Sequence, residues 1–230
     1  MKRILKIGMD VHTTNYTLCA MEPIIGEDDR VFATIKVTPD YKNILMFIEN
    51  LKLKLGLNDE YDIQCGYEAG CLGYSLYNQL TAVGIKCVIL APTTMLTPQG
   101  VRIKTDMRDA YMIAQCLSYG GYHAVYIPTE DDDSVKEYLR MRNDHKLALK
   151  KIKQQINAFC IRHGFCYDGT KWTLSHLKWL KKLEITNGLY RETLDEYMAS
   201  YEEQEAKIER YDKRIGEIAE QTRYHDKVKK

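Results

Sequence analysis

The sequence predicts an α/β domain built on a mixed five-stranded sheet over residues 1–128, followed by an all-α region over residues 129–230. Three observations carry that division. Short apolar strands separated by turn residues fill the first half of the chain. Helical periodicity takes over from about Asp132, and from Leu194 the apolar spacing settles into alternate threes and fours.

Taken in order, ILKIGMDV reads as a buried strand and YTLCAME as its hairpin partner, turning around His12 to Asn15. Gly26, Asp28 and Asp29 mark the next turn, before a third strand, RVFATIKV. Pro39 and Asp40 open an amphipathic helix carrying Ile44, Leu45, Ile48, Leu51 and Leu55. After Asn58 come the strand YDIQCGYE, a glycine-bearing turn, a helix over LGYSLYNQLTAVG and the strand KCVILAP; a further helix is expected from near Thr105 to about Leu117. Three antiparallel strands followed by alternating helix and strand is the order of a ribonuclease-H-like domain. Sugar-kinase and actin-type ATPase domains share it.

In the second region Val135, Leu139, Leu149, Ile152, Ile156 and Phe159 make one apolar stripe, with Gly164 as its C-terminal stop. Residues 173–182 predict a short helix. Leu194, Tyr197, Tyr201, Gln204, Ile208, Tyr211, Ile215, Ile218 and Thr222 then repeat as a coiled coil would. That seam predicts association with the 135–163 helix, with a second subunit, or with both.

Composition narrows the class. No run approaches the roughly 18 apolar residues of a membrane span, and the start, MKRILKIGMD, meets Asp10 too soon for a secretory segment. Seven cysteines without a CxxC pair fit reduced, cytosolic thiols. The formal net charge of +1 hides an uneven distribution, because residues 136–182 hold 12 Lys/Arg against 3 Asp/Glu. Arg140, Arg142, Lys146, Lys150, Lys151, Lys153 and Arg162 thus form either a nucleic-acid footprint or a solvated basic helix. Tyr167, Trp172 and Trp179, interleaved with lysines, suit base stacking or a satellite apolar cluster. Cys160, His163 and Cys166 lack a fourth zinc ligand nearby and read as core, while Asp131, Asp132 and Asp133 complement a helix dipole.

Four acids stand apart. Asp10 closes the first strand and Glu68 closes YDIQCGYE. A carboxylate at the end of an apolar strand is costly without a partner or an ion. Asp106 and Asp109 lie three apart, which on a helix puts like charges side by side. Either Arg102, Lys104 and Arg108 neutralise them, or a cation is shared. In a ribonuclease-H-like domain all four acids meet in one pocket. Four hard oxygen donors suit Mg2+ or Mn2+, and two such ions suit phosphoryl transfer, with Lys104 placed for a scissile phosphate.

GMDVHTTNYTLCA, YEAGCLGYSLYNQL and KTDMRDAYMIAQCL resemble the three motifs of the DEDD transposases of bacterial insertion sequences, recombinases guided by a bridge RNA. The resemblance covers about residues 3–125 and continues into the helical middle. It implies a RuvC-like domain with metal-binding, catalytic acids at Asp10, Glu68, Asp106 and Asp109, and a coiled coil used in assembly. It also implies a structured guide RNA, donor and target DNA, a homo-oligomer (dimer or tetramer), and a place in the bacterial cytoplasm at the nucleoid. The family's serine-bearing domain is expected where this chain stops, at TRYHDKVKK, and Ser75, Ser118, Ser134, Ser175 and Ser200 lie in the wrong segment to replace it. Metal and RNA binding are therefore the expectation for this chain, and full recombination by it alone is not. The competing readings are a non-catalytic RNA-binding and oligomerisation module, and an ATPase relative in which GMDVHTT is a phosphate hairpin. The last has no use for Asp106 with Asp109 and ranks behind the others.

Overall fold

The structure is a computed structural model that describes residues 3–24, 28–56, 61–95 and 105–228. Its contacts divide the chain into two compact units, Met1–Ile127 and Pro128–Lys230.

The first unit is a sheet with helices on both faces. Strands β1 (Arg3–Val11), β2 (Tyr16–Glu22), β3 (Arg30–Val37), β4 (Tyr61–Glu68) and β5 (Lys86–Leu90) lie in the order β3-β2-β1-β4-β5. The first three are antiparallel, while β4 and β5 run parallel to β1 and to each other. This is the mixed ribonuclease-H-like sheet expected from the sequence.

Strand period fixes what each face does. Leu5, Ile7 and Met9 point to one side, where they are fully buried with Leu18 and Tyr67. Against them pack α1 (Tyr41–Leu55), through Ile44, Phe47, Ile48 and Leu51, and α2 (Ser75–Ala82), through Leu76 and Leu80. Asp40 caps α1 by accepting from the Lys42 amide at 2.9 Å, and Gly56 ends it in the left-handed conformation at φ 57°. The helix expected over LGYSLYNQLTAVG begins later, at Ser75, because Gly73 takes a left-handed φ of 54°. The Tyr67 hydroxyl holds that turn, donating to the Gly73 carbonyl and accepting from the Tyr77 amide.

The opposite face receives α3 (Asp106–Tyr119). Gly8 and Gly66 are register partners on β1 and β4. A β-carbon on Gly8 would sit 2.1 Å from the Ala110 carbonyl oxygen, and one on Gly66 would sit 2.7 Å from the Leu117 side chain. The two glycines are therefore the seat in which α3 lies directly on the sheet.

The second unit pairs two long helices. In it, α4 (Glu130–Arg162) and α6 (Gly188–Ala219) run antiparallel, with α5 (Leu174–Lys182) and the short α7 (Thr222–Val228) beside them. Leu149, Ile156, Phe159 and Cys160 of α4 are buried with Leu180, Leu194, Met198 and Tyr201. The seam expected from Leu194 onward thus closes within one chain on α4. Its far part is looser. Ile208, Tyr211, Ile215 and Ile218 are half-buried, and His145 bridges to Gln204 at 2.9 Å. No helix among the described residues is long and apolar enough to cross a membrane. None of the seven cysteines, all among the described residues, forms a disulfide.

Candidate metal centre

The close seat of α3 on β1 decides where its first turn falls. Ala110 and Ala114 lie over Gly8, so Asp106, one turn before Ala110, reaches the end of β1 where Asp10 stands. Thr105 caps the helix, its hydroxyl accepting from the Arg108 amide. On the far side α3 is moored to the β2–β3 turn by Asp29. That carboxylate accepts from the Tyr111 hydroxyl at 3.2 Å, from Gln115 Nε2 at 3.0 Å and from the Tyr119 hydroxyl. Burial works to raise the Asp29 pKa, but the bonds from Tyr119, Gln115 and Tyr111 outweigh it and hold the group below its ordinary range.

The result is a polar row across one face of the sheet. Asp10 is the register partner of Thr17, and Thr17 of Lys36. On the other side Met9 pairs with Tyr67, which leaves Glu68 as the next residue alongside Asp10. Above the row, Asp106 accepts an ion pair from Lys36 Nζ at 2.7 Å. His12 Nε2 lies 3.1 Å from Asp10 Oδ2. One ligand atom each from Asp10, His12 and Asp106 falls within 4.8 Å of the others.

The electrostatics are those of a site short of positive charge. Burial pushes the Asp10 carboxyl above its ordinary range; His12 pulls it down by charge and hydrogen bond, while Asp109 and Asp106 push it further up. Asp106 goes the other way, held down by the hydrogen bond and charge of Lys36. Thr17 Oγ1 is buried and has no hydrogen-bond partner. Hard carboxylate oxygens beside an unspent buried hydroxyl, with two acids raising the pKa of a third, fit a divalent cation.

The four expected acids are not placed alike. Asp10 and Asp106 join the three-residue group, Asp109 lies near enough to act on Asp10 by charge, and Glu68 stands on the neighbouring strand with its side chain exposed. Lys104 and Arg102 fall outside the described residues. Two members, His12 and Lys36, were not expected. The signal for His12 is in the strand period, since a residue two beyond Asp10 shares its face. Lys36 carries no such signal, because only the pairing of β3 with β2 brings it there.

Comparison with known proteins decides the family. The family model for DEDD transposases of the IS110 type, described as transposase, matches residues 7–161. The chain belongs to the DEDD transposase family. This family member is 34% identical over 232 residues to a transposase for insertion sequence element IS1533 of Leptospira borgpetersenii, covering 99% of the chain and 64% of that relative. It is 35% identical over 131 residues to the putative transposase y4qE of Sinorhizobium fredii (strain NBRC 101917 / NGR234), covering 56% of the chain and 34% of that relative. The chain thus spans less than two thirds of the length of these curated relatives. Among solved structures, it is similar to Thermus thermophilus RuvC with a Holliday junction substrate (11% identity, TM-score 0.35) and to Thermus thermophilus RuvC alone (13%, TM-score 0.34). Each likeness covers 53% of this chain and 99% of the other. At these scores the fold assignment rests on the strand order.

The basic helix of this DEDD transposase family member is partly spoken for. Arg142 forks onto Asp212 at 2.7 and 2.9 Å, Lys153 reaches Glu205 at 3.0 Å, and Arg140 pairs with Glu137. Lys153 also lies over the rings of Trp172 and Tyr201. Lys146, Lys150, Lys151 and Arg162 are exposed. Of the aromatic residues, Trp172 stacks on Tyr201, and Tyr167 packs on His176 and Trp179, so this group is a half-buried cluster around α5. His163 lies against Phe159 and Tyr190, as core packing expects.

Proposed function

We propose that this chain carries the metal-dependent strand-cleaving part of an insertion-sequence transposase and recombinase, guided by a structured RNA and acting on donor and target DNA. The observation that carries the reading is the meeting of Asp10 and Asp106, from the end of β1 and the start of α3, in a domain of the DEDD family.

Asp10, Asp106 and Asp109 would hold Mg2+ or Mn2+, with Glu68 completing the set from the neighbouring strand. Such an ion polarises a phosphodiester and stabilises the charge on a leaving oxygen. The chain's own residues supply the rest. Lys36 keeps the Asp106 carboxylate ionised, and the Asp29 mooring holds α3 to the sheet. Lys146, Lys150 and Lys151 present an exposed charge run for RNA phosphates on α4. A second copy would associate along the loose part of the α4–α6 seam, where Leu139 is exposed and Tyr211, Ile215 and Ile218 are half-buried.

Calorimetric titration of Mn2+ and Mg2+ into the wild type, Asp10→Asn and Asp106→Asn tests the centre. Binding that needs both acids is expected. Equal binding by all three proteins overturns it, and RNA binding alone would then leave a non-catalytic assembly module.

A further inference from the structure

The carboxylate set expected from the sequence contains no nitrogen donor, yet an imidazole stands in the group that the fold assembles. His12 follows directly on β1, and its amide donates to the Asn15 carbonyl at 2.9 Å, which fixes the turn that aims the ring back. Its Nε2 lies 3.1 Å from Asp10 Oδ2, and a ring nitrogen lies within 4.8 Å of an Asp106 oxygen. Octahedral ligands about 2.1 Å from an ion are roughly 3 Å apart when adjacent and 4.2 Å apart when opposite. The His12–Asp10 pair has the spacing of adjacent ligands, and the group of three is close enough to converge on one ion. Both members of the pair can serve, since His12 is half exposed at its side chain and Asp10 keeps 15%.

We infer that His12 is a nitrogen ligand of the divalent ion at Asp10 and Asp106, and that it makes this centre select manganese over magnesium. The inference rests on the metal-centre reading above and sharpens it. Mg2+ prefers a shell of oxygens and sheds water reluctantly, whereas Mn2+, a transition ion, accepts imidazole more readily. Thr17 supplies an independent sign of an occupant. Its buried, unpartnered hydroxyl lies across the strand from Asp10, where ion-bound water would satisfy it.

Mn2+ alone is the probe, added to the full chain as wild type, His12→Ala and Asp10→Asn. Electron spin-echo spectra of the bound ion read directly whether a nitrogen is coordinated. The wild type should show nitrogen modulation and His12→Ala should not. The histidine variant should also bind Mn2+ at least about tenfold more weakly, since losing even a group behind a ligand costs that much, with Mg2+ affinity within about twofold. Its exposed position leaves the fold intact, as circular dichroism will report. Mn2+ binding that depends on Asp10 but shows no nitrogen modulation overturns the role of His12 and leaves the carboxylate centre standing. Failure of the wild type to bind Mn2+ at all overturns both.

Discussion

Replacing Gly8 by alanine tests how the centre is built without touching any residue of it. The new β-carbon would stand 2.1 Å from the Ala110 carbonyl oxygen and 2.3 Å from the Ala114 nitrogen, both helix backbone that cannot rotate away. Real β-carbons stay beyond 3.0 Å, so α3 must lift by roughly 1 Å or the strand must buckle. Overpacking of this kind costs about 1–3 kcal/mol, and rigid obstacles on both sides put this site at the upper end. For a unit of this size that is a fall in Tm of roughly 10 °C. The same lift carries Asp106 away from Asp10, so Mn2+ affinity should fall with stability. Gly216→Ala is the control. That glycine lies inside α6 with nothing near its missing β-carbon, and alanine there should stabilise by up to about 1 kcal/mol. Calorimetric melting with and without Mn2+ reads both effects. A Gly8→Ala protein that melts within about 2 °C of the wild type and binds Mn2+ equally would refute the seat of α3.

Asp29→Ala removes the acceptor of three bonds from α3 and should cost about 1–2 kcal/mol by urea denaturation. Because the folded pKa of Asp29 is lowered, its contribution is present above the ordinary 3.8 and lost as pH falls through the folded value, so the gap between the two proteins should be constant from pH 5 to 7 and close in stronger acid. Leu194→Ala, at a fully buried position, should destabilise the second unit by about 3 kcal/mol, whereas Ile218→Ala on the loose seam should cost under about 1 kcal/mol and instead weaken any concentration-dependent sedimentation. Changing Lys146, Lys150 and Lys151 together to Glu should reduce the salt slope of RNA binding by about 2, as three lost phosphate contacts on single strands require. An unchanged slope in filter binding at several salt concentrations would remove α4 from the interface.

Much of the fold was legible because its signals are local. RVFATIKV and YDIQCGYE coincide with β3 and β4 residue for residue, since alternating apolar runs between turn residues leave little freedom. Helix starts were expected at Asp40 and near Thr105, and in the structure both residues cap their helices. Where a boundary moved, as at Ser75, the cause was a backbone conformation at Gly73 that apolar pattern does not encode. The coiled-coil register was legible too, but a heptad pattern reports that a seam exists and not which helix fills it. Only the contacts of Leu194, Met198 and Tyr201 show that α4 of the same chain does so along the buried half.

The centre divides along the same line. Each acid could be picked out singly, because a carboxylate closing an apolar strand and two carboxylates three apart on a helix are local oddities. What joins them is non-local: the Gly8 and Gly66 pair that admits α3, and a sheet register that carries Lys36 past Thr17 to Asp106. Charge balance then explains the additions. Asp10, Asp106 and Asp109 together place more negative charge at the end of β1 than a half-buried site tolerates; the fold sets the Lys36 ammonium against Asp106 and the His12 ring against Asp10. An entering divalent ion would take over the work of both, which frees the ammonium of Lys36 for a phosphate while the imidazole of His12 stays in place as a ligand. Whether the imidazole stays is what the manganese spectra of the wild type and the histidine variant will decide.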